Sequence, residues 1–293
     1  MRGANITMRE MWELRDLARQ MRYDVLDMTG KWGGHPSSCF SATEIMTALY
    51  FGGVVRYRPD EPWWPERDRV ILSKGHAAPL LYSALTRAGY APVEELLRFR
   101  QRGSGLHGHP IQGTFPGVEM TSGSLGQGLS FGLGHVLAGR LSGLEYRAFV
   151  VMGDGECEEG QVWEAAMAAA HYRADRLIAV IDHNKYQQTG PIDREMSLAP
   201  LAGKWREFGW NVTEVDGHDV EALIAALGSL APTGPLIGEG GESEDARPSV
   251  LIAHTVKGKG VSFMEADYTF HGRALTPEQD TRARAEIARM GDR

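Results

Sequence analysis

The chain has 293 residues, with 31 Lys and Arg against 38 Asp and Glu and a net charge of −7. At 42% hydrophobic and 24% charged it has ordinary globular composition and enough apolar side chains for a sizeable core. Its basic residues are scattered, which argues against nucleic acid or an anionic membrane surface as a partner, and no apolar run approaches the ~20 residues of a membrane span.

The first predicted element is a helix over 7–28, where Met11, Leu14, Leu17, Ala18, Met21, Val25 and Leu26 recur at helical spacing. Its charged start lacks the apolar core of a signal peptide. GKWGGHPSS ends the helix, and Ser41 with Glu44 reads as a capping box for a second helix over 45–51. Short apolar runs at 70–72, 148–152, 177–181, 212–215 and 250–253 then predict strands, and helical patterns fall at 77–88, 125–141, 162–172, 220–230 and 277–290. This alternation predicts an α/β fold, a doubly wound, mostly parallel sheet with helices on both faces, in one domain over 1–293. Residues 231–248, APTGPLIGEGGESEDARP, lack periodicity and read as a flexible surface loop. Cys39 and Cys157 are too few for a disulfide framework and read as free thiols of a reducing, cytoplasmic compartment. The tryptophans Trp63, Trp64, Trp163, Trp205 and Trp210 read as packing residues.

Two strand ends carry the chemistry. The run AFVVM ends in Gly153-Asp154-Gly155, and in an open α/β sheet that end of a strand faces the binding crevice. Glycines there let backbone N–H groups approach a phosphate, and Asp154 offers the hard oxygen that suits Mg²⁺ or Ca²⁺. Alone, this tripeptide is equally a tight turn with a capping Asp. The next strand, however, ends in Asp182-His183-Asn184, with 28 residues between Gly155 and Asn184. Two adjacent strands would then deliver an Asp and an Asn to one crevice, with the Tyr186 carbonyl as a candidate third oxygen. Gly123-Ser124-Leu125-Gly126-Gln127-Gly128 superficially matches a dinucleotide fingerprint, but no clear strand precedes it and no acidic residue is placed for a ribose.

In this order and spacing, GGHPSSCFSATEIMTALYF, RDRVILSKGHAAPLLYSAL, GHPIQGTFPGVEMTSGSLGQGLSFGLG, the GDG-to-Asn segment and FHGRAL resemble the N-terminal half of transketolase along essentially the whole chain. The resemblance implies a thiamine diphosphate-binding fold with Asp154, Asn184 and the Tyr186 carbonyl as metal ligands and Gly155 and Glu156 beside the diphosphate. It further implies that His76 and His271 contact the diphosphate and the reaction centre, and that His35 and His109 contact sugar hydroxyls and the nascent oxyanion, with His35, His109 and His271 catalytic. Gly123, Ser124 and Leu125 would pass close to the cofactor rings, and Glu159 would lie at a subunit interface. His107, His135, His171, His183, His218 and His254 keep a structural reading.

The implied reaction moves a two-carbon ketol unit from a ketose to an aldose, each a sugar or sugar phosphate, with thiamine diphosphate and Mg²⁺ as cofactors and Ca²⁺ as a substitute metal. FHGRAL lies about where a full-length transketolase continues into its pyrimidine-binding domain, which carries the glutamate that contacts the aminopyrimidine. A second, C-terminal transketolase subunit in an α2β2 assembly is therefore expected. The alternatives are another thiamine diphosphate enzyme, such as a deoxyxylulose-phosphate synthase-like protein or a 2-oxo acid dehydrogenase α subunit, and a non-catalytic cofactor-binding subunit.

Overall fold

Strand residues of alternating parity bury on opposite sides of one sheet. Val70, Phe149, Val151, Ile178, Val180 and Leu251 join one core, while Ile71, Val150, Met152, Ala179, Ile181 and Ile252 join another. Strands that are apolar on both faces require cover on both faces, as a parallel sheet with crossover helices provides. The computed structural model describes residues 8–230 and 246–291. Its five strands are β1 (Arg69–Leu72), β2 (Ala148–Gly153), β3 (Leu177–His183), β4 (Asn211–Asp216) and β5 (Ser249–His254), all parallel in the order β1-β2-β3-β5-β4. β4 forms an edge and is partly exposed along its length.

One face is covered by α1 (Met8–Trp32), α2 (Pro36–Ser41), α3 (Thr43–Phe51) and α4 (Ala78–Arg87), and the opposite face by α5 (Gln127–Leu141), α6 (Gly160–His171), the single turn α7 (Ile192–Glu195) and α8 (Leu201–Glu207). α9 (Val220–Ser229) and α10 (Pro277–Ala288) return to the first face through Leu223, Leu227, Ala283 and Ile287. Trp205 and Trp210 are buried and Trp163 packs on Trp205, as expected of packing residues, whereas Trp63 is half-exposed beneath the Arg67 guanidinium.

Three sequence expectations shift. α1 runs on through Lys31 and Trp32, so GGHP rather than GKW ends it. Ser41 and Glu44 form no capping box: Ser41 closes α2, and Ala42, which has no side-chain cap, precedes α3. The Ser41 hydroxyl donates instead to the Asp182 carboxylate (2.6 Å), a charge-assisted bond stronger than a neutral cap, and Glu44 pairs with Arg22. α5 starts at Gln127, because Gly126 takes a left-handed φ of 80° and gives its N–H to Glu156. Of the predicted loop 231–248, residues 231–245 lie outside the described residues.

α5 lies close on the sheet because Gly132 has no side chain. A Cβ there would stand 2.6 Å from Val150 Cγ2 and 3.0 Å from Leu177 Cδ1, whereas one on Gly134 would meet nothing within 4 Å. Gly132→Val should therefore cost about 1–3 kcal/mol through overpacking, while Gly134→Ala should be neutral or slightly stabilising. Thermal melts of the two variants check this, and equal midpoints would refute the close-contact account.

Candidate active site

The strand register brings the functional loops together. Gly153 of β2 is level with Asp182 of β3, which is level with Ala253 of β5, so the residues that follow share one crevice at the carboxyl edge of the sheet. Past β2 the chain enters a 3-10 turn over Gly155–Glu158, and the Asp154 side chain accepts from Gly155 N–H (2.9 Å). Past β3, Lys185 adopts a left-handed φ of 69° and its N–H donates to the other Asp154 oxygen, which also meets His183 Nδ1 at 3.0 Å. Asn184 accepts from Tyr186 N–H (3.1 Å) through its side-chain oxygen and donates to Asp182 (3.2 Å).

A cavity of about 280 Å³ gathers most of the residues picked out in the sequence. His35, His76, His109 and His271 line it together with Gly123, Leu125, Asp154, Gly155, Glu156, Asn184 and Tyr186. Ser124 is exposed and does not line it. The four imidazoles come from four separate loops and converge: the His35 ring lies 5.3 Å from His76, 5.1 Å from His271 and 6.3 Å from His109. Burial first, and then neighbouring cationic groups, lower all four pKa values, His35 to about 4 and His271 to about 3. The imidazoles are therefore neutral at neutral pH, each with one donor and one acceptor nitrogen.

Several groups at the site had no obvious signal in the sequence. Lys74 is fully buried and pairs with Asp182, which also accepts from Ser41, Thr255 and Asn184. Burial alone would raise the Asp182 carboxyl, but Lys74 and these hydrogen bonds outweigh it and hold the pKa below its ordinary value. Lys257 is also buried, with its pKa lowered to about 8 by burial and by Lys74. It lies 3.3 Å from Ser38 Oγ and 3.1 Å from His271 Nδ1. An ammonium can only donate, so Nδ1 accepts and the His271 proton sits on Nε2. The adjacency of Lys74 to the KGH turn, and the TVKGKG run after the last strand, were the available hints.

Glu156 lines the cavity, but its carboxylate is used within the protein. One oxygen accepts from Ser73 and Gly126 N–H and the other from Gly153 N–H (3.1 Å), so it ties three loops together. His183 lies against Asp154, closer to the site than its structural reading placed it.

The residues suit a divalent metal and an anionic cofactor. Asp154 is 1% exposed and, unlike Asp182, has no Lys or Arg as an ion-pair partner among the described residues; burial raises its pKa. A buried carboxylate without a cationic partner, beside an amide oxygen and a loop carbonyl, is a set of hard oxygen donors with negative charge to neutralise, as Mg²⁺ or Ca²⁺ requires. At the same wall, His35 Nδ1 is buried without a hydrogen-bond partner among the described residues, and Lys257 brings positive charge.

A parallel sheet with an Asp at one strand end, an Asn at the next and a histidine-lined cavity beside them fits the thiamine diphosphate-binding α/β fold that the resemblance implied. The transketolase thiamine diphosphate binding domain matches residues 14–290, and the chain belongs to the transketolase family. It is 40% identical over 280 residues to the 6-deoxy-6-sulfo-D-fructose transketolase subunit SqwG of a Clostridium species, covering 95% of this chain and 98% of that one. It is 38% identical to an apulose-4-phosphate transketolase subunit of Phocaeicola vulgatus, covering 87% and 86%. Against human transketolase it is 37% identical over 265 residues, 89% of this chain but 40% of the longer protein. The structure of transketolase from Leishmania mexicana superimposes with a TM-score of 0.85 at 28% identity, over 96% of this chain and 42% of that one.

The depressed histidines make folding pH-dependent. The folded pKa values of His35 and His271, about 4 and about 3, lie below the ordinary 6.5. As pH falls below 6.5 the unfolded chain takes up these protons first, so the stability these groups contribute above that pH is lost progressively toward 4 and 3. Resonances of both rings followed by NMR should titrate well below 6.5 in the folded chain, and midpoints near 6.5 would contradict their desolvation.

Proposed function

We propose that this chain is the cofactor-holding subunit of a two-subunit transketolase that moves a two-carbon ketol unit from a ketose to an aldose. The observation that carries the reading is the convergence of His35, His76, His109 and His271 on one cavity with Asp154, Asn184 and Tyr186. Near-complete alignment with two relatives that are themselves named as subunits supports dependence on a partner. That partner would be a C-terminal transketolase chain bringing the pyrimidine-binding domain and its glutamate, in an α2β2 assembly. Glu159, exposed at the start of α6, is a candidate for the interface.

Asp154, Asn184 and the Tyr186 carbonyl would hold Mg²⁺, with Ca²⁺ as an alternative, and the metal would anchor the diphosphate. Gly155, Gly123 and Leu125 line the cavity beside the proposed cofactor, Lys257 and His76 add donors for its diphosphate, and Glu156 acts indirectly as a brace. When bound, thiamine diphosphate supplies the carbon nucleophile and electron sink for the two-carbon unit. The protein's part is to move protons and to stabilise developing alkoxide charge away from water. A neutral imidazole with its proton on Nε2, as at His271, can donate to a developing oxyanion, and the neutral ring of His35, which lines the same cavity, is a candidate contact for a sugar hydroxyl.

The substrates proposed are a ketose and an aldose of the phosphorylated, sulfonated or branched sugar class, by the names of the relatives. A cytoplasmic setting fits two buried free thiols, and no helix among the described residues is long and apolar enough to cross a membrane.

Asp154→Ala removes the charged oxygen from the proposed metal site. Calorimetry should find that Mg²⁺-dependent thiamine diphosphate binding is lost, and unchanged affinity would remove Asp154 from the ligand set. Ketol transfer from xylulose 5-phosphate to ribose 5-phosphate, with thiamine diphosphate and Mg²⁺, tests the function. The chain alone should be inactive and the mixture with a chain carrying the pyrimidine domain active. Inactivity of the mixture on phosphorylated, sulfonated and branched ketoses alike, with cofactor bound, would favour a non-catalytic subunit.

A further inference from the structure

A second cavity, of about 290 Å³, shares no lining residue with the catalytic one. One wall is a face of α1: Trp12, Arg15, Arg19 and Arg22 follow at steps of three, four and three residues, which stacks them along one side of the helix.

The innermost charges are already matched. Arg22 is 1% exposed and pairs with Glu44 at 2.7 Å, while its remaining donors reach the carbonyls of Phe40 and Lys259. Glu44 also meets His218 Nδ1 at 2.9 Å, and His218 Nε2 accepts from Val256 N–H at 2.8 Å, which fixes the proton on Nδ1 and uses both ring nitrogens. Burial would raise the Glu44 carboxyl, but Arg22 and His218 outweigh it and lower it to about 2, so this base of the cavity stays ionised and paired.

The outer charges are not matched in the same way. Arg19 gives one amino group to Asp16 and another, at 3.5 Å, to the Ala288 carbonyl, but its Nε is buried with no hydrogen-bond partner among the described residues. Arg15 is exposed and has no ion pair among the described residues. The carboxylates in the lining, Asp16 and Glu44, are thus already engaged by Arg19, Arg22 and His218. What is left is one unneutralised guanidinium and one buried N–H lacking an acceptor. Beside them stands the Trp12 indole, 62% exposed, an unusual position for so large an apolar ring.

We propose that this cavity is a second ligand site, for a small oxyanion-bearing molecule with a flat apolar body. Arg15 and Arg19 take its phosphate, sulfonate or carboxylate, and Trp12 takes the apolar part. Guanidinium donors match the planar, multi-oxygen geometry of such groups.

Phenyl phosphate combines both features and is the probe. Calorimetric titration of the full chain, saturated beforehand with thiamine diphosphate and Mg²⁺ to block the catalytic cavity, should give a saturable site. Affinity should fall at least ~10-fold in Arg15→Ala and in Arg19→Ala, the loss expected for a hydrogen bond to a charged group. Inorganic phosphate should bind more weakly than phenyl phosphate, and the Trp12 indole resonance, assigned through Trp12→Phe, should shift on binding. Absence of saturable binding, affinity retained in both Arg variants, or an unmoved Trp12 resonance would each overturn the proposal. Since the cavities share no lining residue, the losses in the Arg15 and Arg19 variants and the shift of the Trp12 resonance read this site independently of the function proposed for the other.

Discussion

Asp182 at the end of β3 is the point on which the site depends. Its carboxylate is completely buried and collects Lys74 from the turn after β1, Ser41 from the end of α2, Thr255 from beyond β5 and Asn184 from its own loop. A lone carboxylate in that position would be prohibitively desolvated; a fully hydrogen-bonded one with an ammonium partner is tolerated and fixes the loops that supply its partners. Lys74 also holds the Ser38 carbonyl (3.0 Å), and Ser38 Oγ meets Lys257, so a single network spans the strand ends beneath the cavity.

Above that network the protein places charge unevenly. Asp182 has its cation, whereas Asp154, one residue above the level of Asp182 in the sheet, has only His183 and the backbone N–H groups of Gly155 and Lys185 against it among the described residues. The contrast separates a structural carboxylate from one suited to an external cation, although both sit at the ends of neighbouring strands. Glu156 forms a second brace of the Asp182 type. It is buried, its oxygens are consumed by Ser73, Gly126 and Gly153, and it holds the start of α5 against the strand ends.

The imidazole cluster depends on the same framework. His35 and His76 lie directly before α2 and within the turn before α4, while His109 and His271 come from irregular segments, so none is positioned by a regular element over its full length. Burial lowers the pKa of all four, which disfavours the mutual repulsion that imidazolium rings 5.1–6.3 Å from His35 would suffer. Lys257 sets the tautomer of His271 from behind.

Much of this was legible in the residues. Periodicity located the five strands within two residues at each end, because four of them are buried on both faces and read as apolar runs while only the edge strand β4 is partly exposed, and the Gly-Asp-Gly and Asp-His-Asn endings marked the edge of the sheet where the cavity lies. Family resemblance then supplied the histidines, which no local pattern distinguishes from structural ones. Ser41 and Glu44 fitted a capping box by spacing, but Asp182 and Arg22, 141 and 22 residues away, hold them instead. The partners of Lys74 and Lys257, Asp182 and His271, are likewise set only by the tertiary fold that buries them. The sequence by itself determined the alternation of elements, the sheet class and the residue types at the strand ends, since these follow from local periodicity and turn chemistry. Only the tertiary structure decided which carboxylate received a cation and which donors were left without acceptors, because ion pairing and desolvation arise between residues far apart in the chain.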